Sequence, residues 1–144
     1  MANVVPDSFK TDLLKGTFNF DSSGGSSFKL ALYTNISGLT TSTTAFTTSN
    51  EVSTSGTNYT SGGNALTNNG VAVSSNIAFV DFADLTFSSV TLSAVGALIY
   101  KISSGNEAVL VLDFGGTKTA TNGDFVVQFP TANSSSAIIR LGDA

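Results

Sequence analysis

The sequence predicts an all-β protein: an antiparallel β-sandwich or jelly-roll-like barrel carrying one short amino-terminal helix. Short runs of alternating apolar residues recur along the chain, clusters of Gly, Ser, Asn and Asp separate them, and a single stretch has helical spacing. At 144 residues the chain fits one domain, residues 1–144, and a chain of that size buries roughly 70% of its unfolded surface without metals or disulfides. No second domain and no internal repeat is visible.

The helical stretch is Ser8-Phe-Lys-Thr-Asp-Leu-Leu-Lys-Gly16. Asp7 or Ser8 can cap it, Phe9 and Leu13 lie four apart on one face, and Gly16 can end it in the left-handed conformation. About two turns of helix do not hold together alone in water, so this one must dock through Phe9 and Leu13, with Leu14 as a further contact. A lid on the domain's own sheet is the favoured destination. The rival is an arm, residues 1–16, that reaches a neighbouring subunit.

Thr17-Phe-Asn-Phe20 is a short extended segment, Asp21-Ser-Ser-Gly-Gly-Ser a turn, and Ser27-Phe-Lys-Leu-Ala-Leu-Tyr-Thr34 a strand that buries Phe28, Leu30 and Leu32. Residues 35–75 shift to Thr, Ser, Asn and Gly. A structureless loop of that length is unusual in a compact domain, so short edge strands are expected at 44–52 and 65–73. Loops on a rigid sheet are the usual place for recognition, which makes this region the expected exposed surface.

Residues 76–87 are apolar on both faces at first and then turn polar. Next comes a long antiparallel hairpin, Val90 to Tyr100 and Ala108 to Phe114, turning at Ser103-Ser-Gly-Asn106. Alternation places Val90, Leu92, Ala94, Leu98 and Tyr100 together on one face. The opposite positions, Val95, Ala97, Ile99, Val109 and Val111, are apolar too, so the hairpin should be covered on both sides and central in its sheet. Residues 115–123 read as a loop, Asp124-Phe-Val-Val-Gln-Phe-Pro130 as a strand ended by proline, and Ser136-Ala-Ile-Ile-Arg-Leu141 as a last short strand.

Composition narrows the function. The chain has no Cys, His or Trp, which removes disulfides, thiolate nucleophiles, Cys/His zinc sites and the commonest general base. Charged residues make up 11%, against about 25% in an average soluble domain, and the net charge is −4. Lys10, Lys15, Lys29, Lys101, Lys118 and Arg140 are scattered, so no basic face for nucleic acid is expected. The first residues lack a basic n-region and an apolar h-region, and no apolar run approaches the ~20 residues of a membrane span. A surface of Ser, Thr, Asn and Gly with little charge repulsion suits a subunit of a larger assembly.

Motifs of catalysis fall away one by one. Asp113-Phe114-Gly115 spells the kinase magnesium tripeptide, but the glycine-rich loop, strand lysine and catalytic loop are missing. Gly115-Gly-Thr-Lys-Thr119 lacks the phosphate-loop spacing and a following helix. Asp81 and Asp84, with Asp113, Asp124, Glu51 or Glu107, offer carboxylates for glycoside hydrolysis or calcium, without a Trp-floored cleft or an EF-hand loop. Asn35-Ile-Ser, Asn58-Tyr-Thr and Asn133-Ser-Ser match the glycosylation acceptor by chance in so Asn- and Ser-rich a chain. The expectation is no enzyme and no cofactor or metal.

One series of blocks is more specific. Ser8-Phe-Lys-x-Asp-Leu-Leu-x-Gly with Asn19-Phe20, Phe28-Lys-x-Ala-Leu-Tyr-Thr34, Thr44-x-Phe46, Asn50-Glu-Val52, Tyr59-x-x-Gly-Gly-x-x-Leu66, Val80-Asp-Phe-Ala-Asp84, Gly96-Ala-Leu-Ile-Tyr100, Ala108-Val-x-Val-Leu-Asp-Phe114, Phe125-x-Val-Gln-Phe-Pro130 and Ala137-Ile-Ile-Arg140 span nearly the whole chain. Together they resemble a small structural protein of tailed bacteriophages, of the type found in phages of cyanobacteria and marine bacteria. The resemblance implies a virion protein on the capsid surface, a decoration (cement) protein that stabilises contacts between major capsid subunits. Its partners would be the major capsid protein and itself, as a trimer or other small homo-oligomer. A tail-, neck- or fibre-associated protein with a receptor- or carbohydrate-binding role is the alternative. Interface residues expected on these readings are Phe9, Leu13, Leu14, Tyr33, Phe46 and Tyr59, the last three as exposed rings able to stack on sugars.

Overall fold

In the computed structural model, which describes residues 2–142, one helix, α1 (Asp7–Leu14), precedes seven strands: β1 (Phe28–Tyr33), β2 (Asn64–Ala65), β3 (Asn68–Ser74), β4 (Ile77–Phe82), β5 (Leu85–Lys101), β6 (Ala108–Val127) and β7 (Ile139–Leu141). They form two antiparallel sheets, one in the order β2-β1-β5-β6 and one in the order β3-β4-β7. Phe28, Leu30, Val90, Ile99 and Val109 of the larger sheet share a core with Val80 and Phe82 of the smaller. The fold is an all-β sandwich, as the sequence predicts.

The β5–β6 hairpin is the backbone of the larger sheet, and it corrects three details of the sequence reading. Of its two arms β5 is interior, between β1 and β6, while β6 forms the edge. Residues 115–123 are not a loop but part of β6, because Thr117, Thr119 and Thr121 are β-branched and the ladder pairs Ala94 with Lys118 and Leu92 with Ala120. The faces also do not run in one phase. Val90, Leu92 and Ala94 point into the main core, the register shifts between Ala94 and Gly96, and beyond it Ala97 and Ile99 take over that face. Leu98 and Tyr100 therefore turn to the opposite side, into a second cluster with Ala31, Tyr33, Ile36, Leu39, Ala108 and Val111. Gly96 sits at the shift because a Cβ there would collide with the Leu112 carbonyl oxygen and lie 2.8 Å from Cγ2 of Ile36.

That second cluster explains how residues 35–63 remain ordered with so few apolar groups. Ile36 and Leu39 cap the outer face of the larger sheet, while Val52 and Tyr59 enter the main core. No strand forms at 44–52. Single bridges join Ala45 to Glu107 and Tyr33 to Glu51 instead. The strand expected at 65–73 is present as β3, which closes on β4 through a two-residue turn with Ser75 at φ 51° and Asn76 at φ 65°.

α1 is a lid and not a free arm. Phe9 is buried, its ring 5.0 Å from that of Phe18, and Phe20 stacks on Phe28 at 4.9 Å. Upstream, Val4 and Val111 exchange main-chain bonds of 2.9 and 2.8 Å, which ties the amino-terminal segment to β6. The expected side-chain cap is absent: Pro6 is the N-cap, and Ser8 Oγ donates instead to the Thr43 carbonyl at 3.2 Å. Gly16, at φ 81°, ends the helix as expected.

Candidate functional site

All three tyrosines of the chain gather around one carboxylate. The Tyr33–Glu51 bridge brings the loop onto β1, and Glu51 then reaches along the strand. Its Oε1 accepts from the Tyr59 hydroxyl at 2.8 Å and the Gly62 amide at 2.6 Å, and its Oε2 accepts from Ser61 Oγ at 2.8 Å. Tyr59 Oη in turn accepts from the buried Leu32 amide at 3.0 Å. Tyr100 donates to the Gly62 carbonyl and Tyr33 to the Thr47 carbonyl, each at 2.6 Å.

Burial pushes all three phenols above their ordinary range, Tyr33 and Tyr59 far above it, and the negative charge of Glu51 pushes each further. They are neutral donors. Three donors, from Tyr59, Ser61 and Gly62, thus converge on the two oxygens of Glu51. The cluster clamps residues 47–62 to β1 and β5. Two glycines make the approach possible. Gly62 and Gly63 have φ of 90° and 77°, and a Cβ on Gly63 would collide with the main chain at Leu30.

The other carboxylates tie strand ends together or hold turns. Asp84 accepts from the Phe129 amide at 2.8 Å, Asp124 from the Ser89 amide at 3.3 Å, and Asp81 from the Asn69 side chain at 2.9 Å. Asp113 accepts from the Gly115 amide at 2.8 Å, which holds its carboxyl below the usual range. The Ser103 hydroxyl does the same for Glu107 across the β5–β6 turn. Among the described residues no group of three or more Asp and Glu side chains converges on a metal-sized space.

The residues expected at an interface scatter. Tyr33 and Tyr59 are buried, which corrects their expected role as exposed stacking rings, and Phe46 is half-buried with its ring 4.7 Å from that of Tyr100. Phe9 belongs to the core and Leu13 packs against it. Leu14 alone stands clear, 85% exposed on the last turn of α1.

Leu14 marks one end of an apolar shoulder that sequence reasoning missed. Two open grooves of about 560 and 600 Å³ meet along Leu13, Ile139 and Leu141. Val71, Val73 and Leu141, on β3 and β7, are 56%, 71% and 62% exposed. The signal was present as Val71-Ala-Val73 at the end of the edge strand expected at 65–73, inside a run of Asn, Gly and Ser without one charge, but the sequence does not say which of its faces stays uncovered. Comparison of the chain with known protein families, with curated proteins and with solved structures found no match.

Proposed function

We propose that the chain is a structural subunit of a tailed-phage virion, a decoration or cement protein bound where major capsid subunits meet. The observation that carries this reading is the ordered series of sequence blocks resembling that class of phage protein from Ser8 to Arg140. Two physical features support it. The clamp and the two apolar clusters spend the chain's polar and aromatic groups on rigidity, which suits a cement protein. The low charge of the surface lets many copies pack closely, and weak contacts repeated over a shell add up through multivalency. On this reading Leu14 and the apolar shoulder face the capsid.

The test is copy number in purified virions, by quantitative mass spectrometry against the major capsid protein. Hundreds of copies in a simple ratio to the capsid subunit are expected. A handful of copies overturns the shell-wide role and moves the protein to the tail, neck or fibres. Leu14→Glu, which leaves the core untouched, is expected to lower shell occupancy.

A further inference from the structure

We infer that two copies of this chain pair through their β3 edges, antiparallel about a two-fold axis at Ala72, and so join two three-stranded sheets into one of six strands. The inference concerns the free protein and does not depend on the virion assignment.

The main chain of β3 is the first ground. In a hairpin closed by a two-residue turn, the flanking residues Ser74 and Ile77 bond to each other and the pairs alternate from there. Ala72 and Phe79 form the next bonded pair. The N–H and C=O groups of Val71 and Val73 therefore point away from β4, and outside the β3–β4 ladder no main-chain bond to residues 71–74 is found among the described residues. An edge of this kind is a template for another strand.

The side chains choose the strand. Asn68-Asn-Gly-Val-Ala-Val-Ser74 has no Lys, no Glu and no Pro, the residues that ordinarily blunt an edge. It is also self-complementary. With the axis at Ala72, Val71 of each copy lies opposite Val73 of the other, and both have outward main-chain groups, so four N–H to C=O bonds form with none left over. The registers of β3–β4 and β4–β7 then continue across the seam. Ile139, Val80 and Val71 of one copy are followed by Val73, Ala78 and Leu141 of the second, one unbroken apolar row. On the other face Ala72 meets Ala72 and the row ends in Arg140 on both sides, so no like charges are forced together. The opposite edge, β7, is three residues long and carries Arg140, so the isologous contact closes instead of growing into a fibre.

The experiment is sedimentation and light scattering of the full chain, with amide exchange as a readout that needs no mutation. A dimer is expected, with the Val71 and Val73 amides protected at concentrations where it forms and fast on dilution. V71E/V73E places like charges opposite each other twice and is expected to be a folded monomer; V71K/V73E places Lys opposite Glu twice and is expected to dimerise again. A monomeric wild type, a trimer, or a dimer whose two valine amides exchange freely overturns the proposal. So does a V71E/V73E chain that still dimerises, and a monomeric V71K/V73E chain overturns the Ala72 register. If V71E/V73E fails to fold, the exchange of the two wild-type amides decides alone.

Discussion

The hydroxyl of Tyr59 stands between a buried main-chain amide and a buried-edge carboxylate, accepting from Leu32 at 3.0 Å and donating to Glu51 at 2.8 Å. Tyr59→Phe removes both bonds and leaves the Leu32 amide without a partner inside the core. A buried donor stripped of its acceptor costs about 1–3 kcal/mol. Urea unfolding is expected to show that loss with an unchanged m-value, and a loss within error of zero would mean that the clamp is not needed for the fold.

The same cluster sets an alkaline limit on stability. Each phenol titrates higher in the folded chain than in the unfolded one, so its contribution is fully present below about pH 10 and is lost as pH rises above it. In that window the unfolded state releases protons that the folded state retains, and Tyr33 and Tyr59 each lower stability by at most about 1.4 kcal/mol per pH unit. Denaturation curves should be flat from neutral pH to about 9.5 and fall steeply beyond, and Tyr33→Phe should make the fall shallower. A free energy of unfolding that stays flat to pH 11 would contradict the buried, neutral state of the three rings.

Much of this was legible beforehand, and the misses have physical causes. Phe28, Leu30 and Leu32 alternate cleanly, so β1 and its buried face follow from period alone. β5 alternates too, but the register shift before Gly96 inverts its phase, and period counting carried Leu98 and Tyr100 to the wrong side. Residues 115–123 looked like loop because Gly115 and Gly116 break the run, at φ 75° and 150°, although the threonines after them resume pairing. Alternation puts Tyr33 on the face of β1 opposite Phe28, Leu30 and Leu32, and Tyr59 lies in the Ser- and Thr-rich stretch, so both read as exposed. What buries them is the packing of residues 35–63 over the larger sheet, where Thr47 and Glu51 accept from their hydroxyls, and only the fold brings those partners within reach.

Two glycines separate conformational need from steric need. Gly56 and Gly63 have similar φ, 71° and 77°, but a Cβ at Gly56 meets nothing within 4 Å, whereas at Gly63 it meets the Leu30 carbonyl. Gly56→Ala is expected to cost about 1–2 kcal/mol, the left-handed penalty alone. Gly63→Ala must also displace the β1–β2 pairing of Lys29 with Ala65 and Leu30 with Asn64, and is expected to cost more and to loosen the Gly62–Glu51 contact. Thermal unfolding of both variants checks the order. Equal losses would show that the β1 contact yields freely.

The two ends of α1 differ in burial, and on the proposed function they divide folding from docking. Phe9 is buried against Phe18 and Phe20, so Phe9→Ala opens a cavity in the core and is expected to cost about 3–5 kcal/mol. Leu14, five residues on, is 85% exposed, so Leu14→Ala should change stability by no more than about 0.5 kcal/mol. Removal of residues 2–16 would strip both Phe9 and the Val4–Val111 bonds, and the remaining β-domain is expected to unfold at temperatures the whole chain withstands. Loss of capsid attachment by that truncation would therefore say nothing about an arm. Leu14→Glu isolates the contact: if attachment weakens while the melting temperature stays within a degree or two, the exposed end of the helix docks on the shell, and unchanged attachment would leave the helix a lid alone.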